Sequence, residues 1–241
     1  IDVHIKKDEK KGIAVNGLPI RRLGELLGTF YTVIFSPEDL SLIKNSPAER
    51  RRFMDMELCQ LSSVYYYDLQ QYYKVLKQRN NLLKRLVKEP NLKETMFVWD
   101  RQLADYGRRI IKARREFGNK VGAFAQRNHE LITGGKEAFC SEYNPNCTEE
   151  DLEDKLKTGL ERDIFTGSTN HGPHKDDMAF YVDGSDVRVF GSQGQQRTAA
   201  LCLKLAEIDI IKEETGVTPV MLLDDVLSEL DEGRQNFLMD M

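Results

Sequence analysis

The feature that most constrains this chain is a run of four apolar residues ending in two carboxylates, Val220-Met221-Leu222-Leu223-Asp224-Asp225, entered through Pro219. It reads as a fully buried parallel strand that delivers acid groups to the carboxyl edge of a sheet. In α/β proteins that edge carries phosphate and Mg²⁺ chemistry. About 30 residues earlier stands Phe190-Gly191-Ser192-Gln193-Gly194-Gln195-Gln196-Arg197-Thr198, just ahead of a helix predicted over Ala199 to Ile211. Backbone N–H groups at a helix start, together with the positive end of its dipole, form an anion site. The two stretches read as two halves of a nucleotide site.

The remaining 200-odd residues must carry these pieces. With 31% charged and 40% hydrophobic residues the composition is that of an ordinary globular chain. No apolar run approaches the ~20 residues that span a bilayer, and Ile1-Asp2-Val3-His4 is no signal peptide. The four cysteines show no C-x-x-C pairing, so neither a zinc site nor a disulfide framework is expected. Cys59 and Cys202 fall inside helical patterns and read as small core residues in a reducing, cytoplasmic setting. Charge is unevenly spread: between Arg50 and Arg127 there are 18 Lys+Arg against 8 Asp+Glu, while the whole chain has a net charge of −4. A basic arm on an acidic body suits either a polyanion partner or a solvated helical surface.

Along the chain, Val3-His4-Ile5 and Ile13-Ala14-Val15 predict a hairpin, and Asn16-Gly17 with Pro19 lead to a short helix over 21–27. Tyr31 to Phe35 reads as a buried strand, stopped by the helix start Ser36-Pro37-Glu38-Asp39. From the capping box Ser46-Pro47-Ala48-Glu49 a long helix follows, with apolar residues at 61, 65, 69, 72, 76, 83 and 86 and Arg79 interrupting. Beyond Pro90 a second long helix keeps register through Trp99, Leu103, Tyr106, Ile110, Phe117, Val121 and Phe124, and Gly134-Gly135 closes it. The pair makes an antiparallel αα-hairpin whose aromatics serve packing. A strand (137–143), a short helix after Thr148, and a hairpin of 179–182 with 187–190 come next, followed by the glycine-amide stretch, the acid strand and a last helix from about Glu232.

Each motif has a plain reading beside the chemical one. Asp224 at a strand end can hold Mg²⁺, and Asp225, pointing the other way, can orient or deprotonate a water, although acids also commonly cap such a strand. Ser192 can donate its hydroxyl to a phosphate oxygen, and two glycines allow close approach; the alternative is a Gly-rich turn. His174 admits a catalytic role or a structural hydrogen bond.

Ser192-Gln193-Gly194-Gln195-Gln196-Arg197 resembles the signature motif of ABC-type ATPases in the form used by the RecF recombination mediators. Val220 to Asp225 looks like their Walker B strand and Ser228-Glu229-Leu230-Asp231 like the D-loop. Val33 to Leu40, Ser46 to Phe53 and Gly172-Pro173-His174-Lys175-Asp176-Asp177 are similar to further RecF segments, in the family's order and over essentially the whole chain. The resemblance implies an α/β, ABC-type ATPase head with an inserted α-helical hairpin lobe: head residues 1–45 and 136–241, arm 46–135. It implies a weak, SMC-like ATPase that binds ATP and Mg²⁺, dimerises on DNA (duplex, or a single/double-strand junction) and helps load RecA with RecO and RecR in recombinational repair, replication and the SOS response. Ser192, Gln193, Gly194 and Gln195, with Ser228 and Asp231, would contact nucleotide across a homodimer; Asp224 would hold the metal and Asp225 act as base. Arg50, Arg51, Lys112, Arg114 and Arg115 are candidates for DNA phosphates. The pattern departs from the family in lacking a P-loop G-x-x-x-x-G-K-[ST] and the Q-loop Gln, in whose region Ser36-Pro37-Glu38-Asp39 stands. The expectation is therefore a fragment that binds ATP weakly or not at all. The rival expectation is a non-catalytic helical-hairpin interaction module with a degenerate head.

Overall fold

Strand pairing across nearly the full length of the chain sets the architecture. In the computed structural model, which describes residues 1–5, 12–20, 23–225 and 232–239, strand β4 (Thr32–Phe35) pairs in parallel with β8 (Val220–Leu223), Thr32 opposite Val220 and Phe35 opposite Leu223. Everything between them is one long crossover. Ahead of it, β1 (Asp2–His4), β2 (Gly12–Val15) and β3 (Leu18–Ile20) form an antiparallel sheet. Asn16 and Gly17, both at positive φ, turn β2 into β3, a hairpin where the sequence led to a helix. Of the helix expected over 21–27, residues 21 and 22 lie outside the described residues and Leu23–Leu26 form a 3₁₀ turn.

The arm starts with α1 (Leu40–Lys44) and α2 (Pro47–Leu61). Ser36 carries the capping box expected of Ser46, its N–H donating to Asp39 Oδ2 at 2.8 Å, whereas Ser46 starts α2 without a side-chain cap bond. The predicted single long helix is two. Ser62 is extended, its hydroxyl accepts the Tyr65 N–H, and α3 (Ser63–Leu86) begins there. After a 3₁₀ turn from Pro90, α4 (Met96–Thr133) runs 38 residues and ends at the left-handed Gly134. Arg109 meets Asp68 and Arg79 meets Asp100, so α3 and α4 are antiparallel, as expected of the hairpin.

Beyond α4, β5 (Phe139–Asn144) pairs with β6 (Asp177–Val182), and between them lie α5 (Leu152–Thr158) and α6 (Leu160–Thr166). The expected second hairpin strand over 187–190 is mostly absent. The strand that returns along β6 is the two-residue β7 (Ser185–Asp186), and Val187–Phe190 is a helical turn, α7, because the Asp186 carboxylate accepts the Arg188 N–H and caps it. Helix α8 (Gln193–Thr215) starts six residues earlier than its apolar run, and α9 (Glu232–Met239) closes the described chain.

Helix α4 belongs to both regions. Its first half packs on α3, while Lys120 pairs with Glu213 and Glu214 and Arg127 with Asp209, laying its second half antiparallel along α8. One core runs through both, from Tyr72, Leu103 and Ile110 to Ala199, Leu203 and Ile210. A division at residues 45 and 135 is therefore a proposal about topology rather than about separate cores. Cys202 is a core residue as expected; burial pushes the half-buried Cys59 thiol up to about 12. No helix among the described residues is long and apolar enough to cross a membrane.

Candidate functional site

Parallel pairing makes β4 and β8 end at the same edge. The Asp224 N–H donates to Phe35 O at 2.8 Å, which fixes Asp224 beside Ser36. Asp225 follows at φ 52°, a left-handed conformation that Asp tolerates through local hydrogen bonding. Both acids are exposed. The strand itself is not fully buried, contrary to expectation. Val33 and Phe35 face the core with Leu201, Leu205 and Ile208, but Ile34 and Leu222 are 51% and 46% exposed. The outer face of the pair is thus an open apolar surface. Mg²⁺ takes one or two carboxylates together with water and phosphate oxygens, so a solvent-facing Asp224 at a strand end fits such an ion. Among the described residues no three His, Cys, Asp or Glu side chains gather as an all-protein cage. Ser228 and Asp231 lie outside the described residues.

Behind this edge is a cluster that sequence reasoning missed. A cavity of about 220 Å³ is lined by Ser36, Glu38, Asp39, Glu57 and Lys204 among others. Lys204 Nζ lies 2.6 Å from Glu207 Oε2, both out of solvent. Burial, and for Glu207 also the neighbouring Glu57, holds both glutamates above the usual carboxylate range, with Lys204 opposing. Only the helical period placing Lys204 and Glu207 on one face of an otherwise apolar helix hinted at it.

The start of α8 is the second half. Ser192 Oγ accepts the Gln195 N–H at 3.2 Å and Gln195 Oε1 accepts the Ser192 N–H at 2.9 Å, a complete capping box. Accepting that bond leaves the Ser192 hydroxyl proton available. Ser192, Gln193 and Gly194 are exposed at the positive end of a 23-residue helix. The two glycines differ in purpose. A Cβ on Gly191 would stand 2.5 Å from Val187 O, so that glycine serves the α7 turn. A Cβ on Gly194 would meet nothing nearer than Ser192 Oγ at 3.9 Å, so nothing inside the chain demands glycine there. Its missing side chain keeps open the space an external group would enter. Lys204, near the acid edge, is twelve residues from Ser192, or ~18 Å along the helix. One chain therefore does not bring its two halves onto one phosphate.

The arm's basic residues are largely engaged inside the molecule. Arg50 donates to Asp177 from Nε at 2.6 Å and Nη2 at 3.1 Å, and is 2% exposed. Arg114, also buried, reaches Asp55, Asp176 and Pro173 O. Neither turns a guanidinium outward, which corrects their reading as phosphate ligands: the polyanion these arginines meet is the acidic body of their own chain. Arg51 is half-buried on Asp176 O, Arg115 pairs with Glu149, and Lys112 is exposed. Lys74, Lys77 and Lys84 on α3, with Lys88 just past its end, are all exposed and step by three, seven and four, which keeps them on one face. The one acid of α3, Asp68, is held by Arg109.

Gly172 to Asp177 is the joint between arm and head. Asp176 accepts from Arg114, from Tyr143 Oη at 2.5 Å and from the Asn146 N–H at 2.9 Å. His174 lies between Tyr72 Oη at Nδ1 and Thr169 O at Nε2, and burial lowers its pKa to about 4, which keeps the ring neutral at pH 7; Nε2, facing a carbonyl, then donates and Nδ1 accepts from Tyr72. Of its two readings the structural one fits this arrangement.

With this geometry in view, the chain's similarities are informative. No family model matches it. It is 52% identical over 240 residues to the DNA replication and repair protein RecF of Lachnoclostridium phytofermentans, and 52% identical to that of Agathobacter rectalis. It covers 67% and 66% of those chains, so it spans about two thirds of the length of the relatives it matches. Among solved structures it superposes on the recombination mediator protein RecF-ATPrS of the RecFOR pathway with a TM-score of 0.90, at 39% identity, over 99% of this chain and 66% of that one. The corresponding RecF-ATP structure gives 0.89 at 41% identity, over 96% of this chain and 64% of that one. The fold is accordingly that of an ABC-type ATPase head with its helical arm.

Proposed function

The chain belongs to the RecF family, and from that premise we propose that it is the signature- and Walker B-bearing part of an ATP-driven DNA clamp acting in recombinational repair. One observation carries the reading: Ser192 and Gly194 lie exposed at the start of α8, twelve residues or ~18 Å along the helix from Lys204, which lines the cavity beside Ser36. Two such surfaces in one chain cannot grip one nucleotide, but two copies facing each other can, with the signature turn of one closing over the phosphates held at the acid edge of the other. In that arrangement Asp224 would hold Mg²⁺, whose chemistry when bound would be to neutralise phosphate charge, and Asp225 would orient or deprotonate the attacking water. Ser192 donates its hydroxyl to a terminal phosphate oxygen, Gly194 allows the approach, and Gln193 lies at the same rim. Gln195 acts by holding the turn; Ser228 and Asp231 are proposed to serve the same interface. Asp is one methylene shorter than the Glu of many such enzymes, which fits slow turnover.

DNA phosphates are proposed to lie along the arm, on the acid-poor lysine face of α3 and on Arg51, Lys112 and Arg115. The mediators RecO and RecR are the proposed partners, RecA loading the proposed outcome, and the cytoplasm the proposed setting. The test uses the full-length protein. Asp224→Asn should abolish ATP turnover, and Ser192→Arg, which places a bulky cation in the phosphate approach, should abolish ATP-dependent dimers in sedimentation. If both variants behave as wild type, the reading falls and a non-catalytic interaction module replaces it.

A further inference from the structure

Gln195 does more than complete a capping box. An amide that accepts through Oε1 has two donors left over on Nε2. Gln195 Nε2 donates to Glu137 Oε1 at 3.0 Å. Glu137 stands just after the Gly134-Gly135 turn that ends α4, and its other oxygen lies 3.8 Å from Nε2 of the buried His129, one turn before that end. His129 is itself fixed by stacking on Phe139, with ring centroids 5.4 Å apart. The carboxylate can only accept, so it dictates which end of the Gln195 amide faces it. With Nε2 turned to Glu137, Oε1 is left to accept the Ser192 N–H. Reversed, the amide would aim a donor at that N–H and the box would open.

We infer that Glu137 is a positioning residue for the anion-binding turn at Ser192–Gly194, setting the orientation of Gln195 and tying the turn to the base of the arm. The inference rests on the proposed role of that turn in ATP-dependent dimerisation. A capping box takes glutamate or glutamine at this position; glutamine brings the extra donor that ties the turn to a second element.

The experiment titrates ATP into the full-length protein and reads dimer by sedimentation, with monomer nucleotide binding followed separately. Glu137→Gln keeps an acceptor and should dimerise as wild type. Glu137→Leu removes it and should raise the ATP needed for half-dimerisation by up to roughly tenfold, the scale of one hydrogen bond. Gln195→Glu sets two carboxylates face to face and should show the same loss. The double variant Glu137→Gln with Gln195→Glu restores a donor–acceptor pair and should recover wild-type dimerisation, with monomer nucleotide binding unchanged in all variants, whereas a contact that only holds the fold together would move both; this comparison holds even if Glu137→Leu fails to fold. Wild-type dimerisation by Gln195→Glu, or no recovery in the double variant, would overturn the inference. Ser192→Arg separates the two levels. If it too dimerises normally, the proposed function has failed; if it alone loses dimers, only the role of Glu137 has.

Discussion

Arg114 Nη1 lies 3.0 Å from Asp176 Oδ2, and neither residue is more than 1% exposed. A charge pair sealed this completely joins the middle of α4 to the loop entering β6, and so joins arm to head. Removing one partner strands the other in a low-dielectric interior. Asp176→Ala should therefore cost about 3–5 kcal/mol, read as a shift of the urea unfolding midpoint at unchanged slope. Arg114→Met combined with Asp176→Leu should cost less than the single change; a larger cost would mean that the remaining bonds of Asp176 to Tyr143 and Asn146 dominate.

The neighbouring His174 gives a pH dependence. Its folded-state pKa of about 4 lies below the ordinary 6.5, so the unfolded chain takes up a proton first as pH falls. Its contribution to stability is complete above pH 6.5 and is lost progressively as pH falls toward 4. Melting temperatures between pH 7 and 4.5 should fall more steeply for wild type than for His174→Gln, which keeps an acceptor for Tyr72 and a donor for Thr169 O. Parallel curves would show that other groups carry the acid sensitivity.

The glycines on either side of Ser192 should part company. Gly191→Ala drives a Cβ toward Val187 O and should destabilise the α7 turn, lowering the melting temperature. Gly194→Ala should leave stability unchanged or raise it by up to about 1 kcal/mol, the helix advantage of Ala over Gly. Gly194→Leu should fold normally yet lose ATP-dependent dimers in the full-length protein. Normal dimers from that variant would show that nothing approaches the turn.

The lysine face of α3 is testable by salt. Converting Lys74, Lys77, Lys84 and Lys88 to Glu should weaken DNA binding by the full-length protein regardless of sequence. It should also flatten the plot of log affinity against log salt by about one unit for each DNA phosphate that is no longer neutralised. The same experiment on Arg50→Gln should change stability first, since its guanidinium is committed to Asp177. An unchanged salt slope in the lysine variant would remove α3 from the DNA path.

What the sequence made legible was local. The αα-hairpin, the strands at Thr32–Phe35 and Val220–Leu223 and the body of α8 each follow from periodicity or from apolar runs within a few positions, whereas the pairing of the two strands and the start of α8 at Ser192 do not. What it hid depends on distant partners. Arg79 looks like an interruption in an apolar stripe, but it is wholly buried between Asp100 and Asp163. Arg50 and Arg114 look like surface cations because the acids that claim them, Asp177 and Asp176, are 127 and 62 residues away. Val187 to Phe190 has strand-like composition, yet a single capping bond from Asp186 turns it into a helix. Glu137 sits in an inconspicuous turn, and only tertiary placement brings it to Gln195.

The uninterrupted course of α4 has a mechanical consequence. At 38 residues it is a rod ~57 Å long, held along one half by α3 and clamped along the other by α8. A rod clamped over half its length transmits load as torque rather than absorbing it as hinge rotation. A pull at Met96, near the tip, is therefore felt at His129 as a tilt, with no break in the helix between to dissipate it.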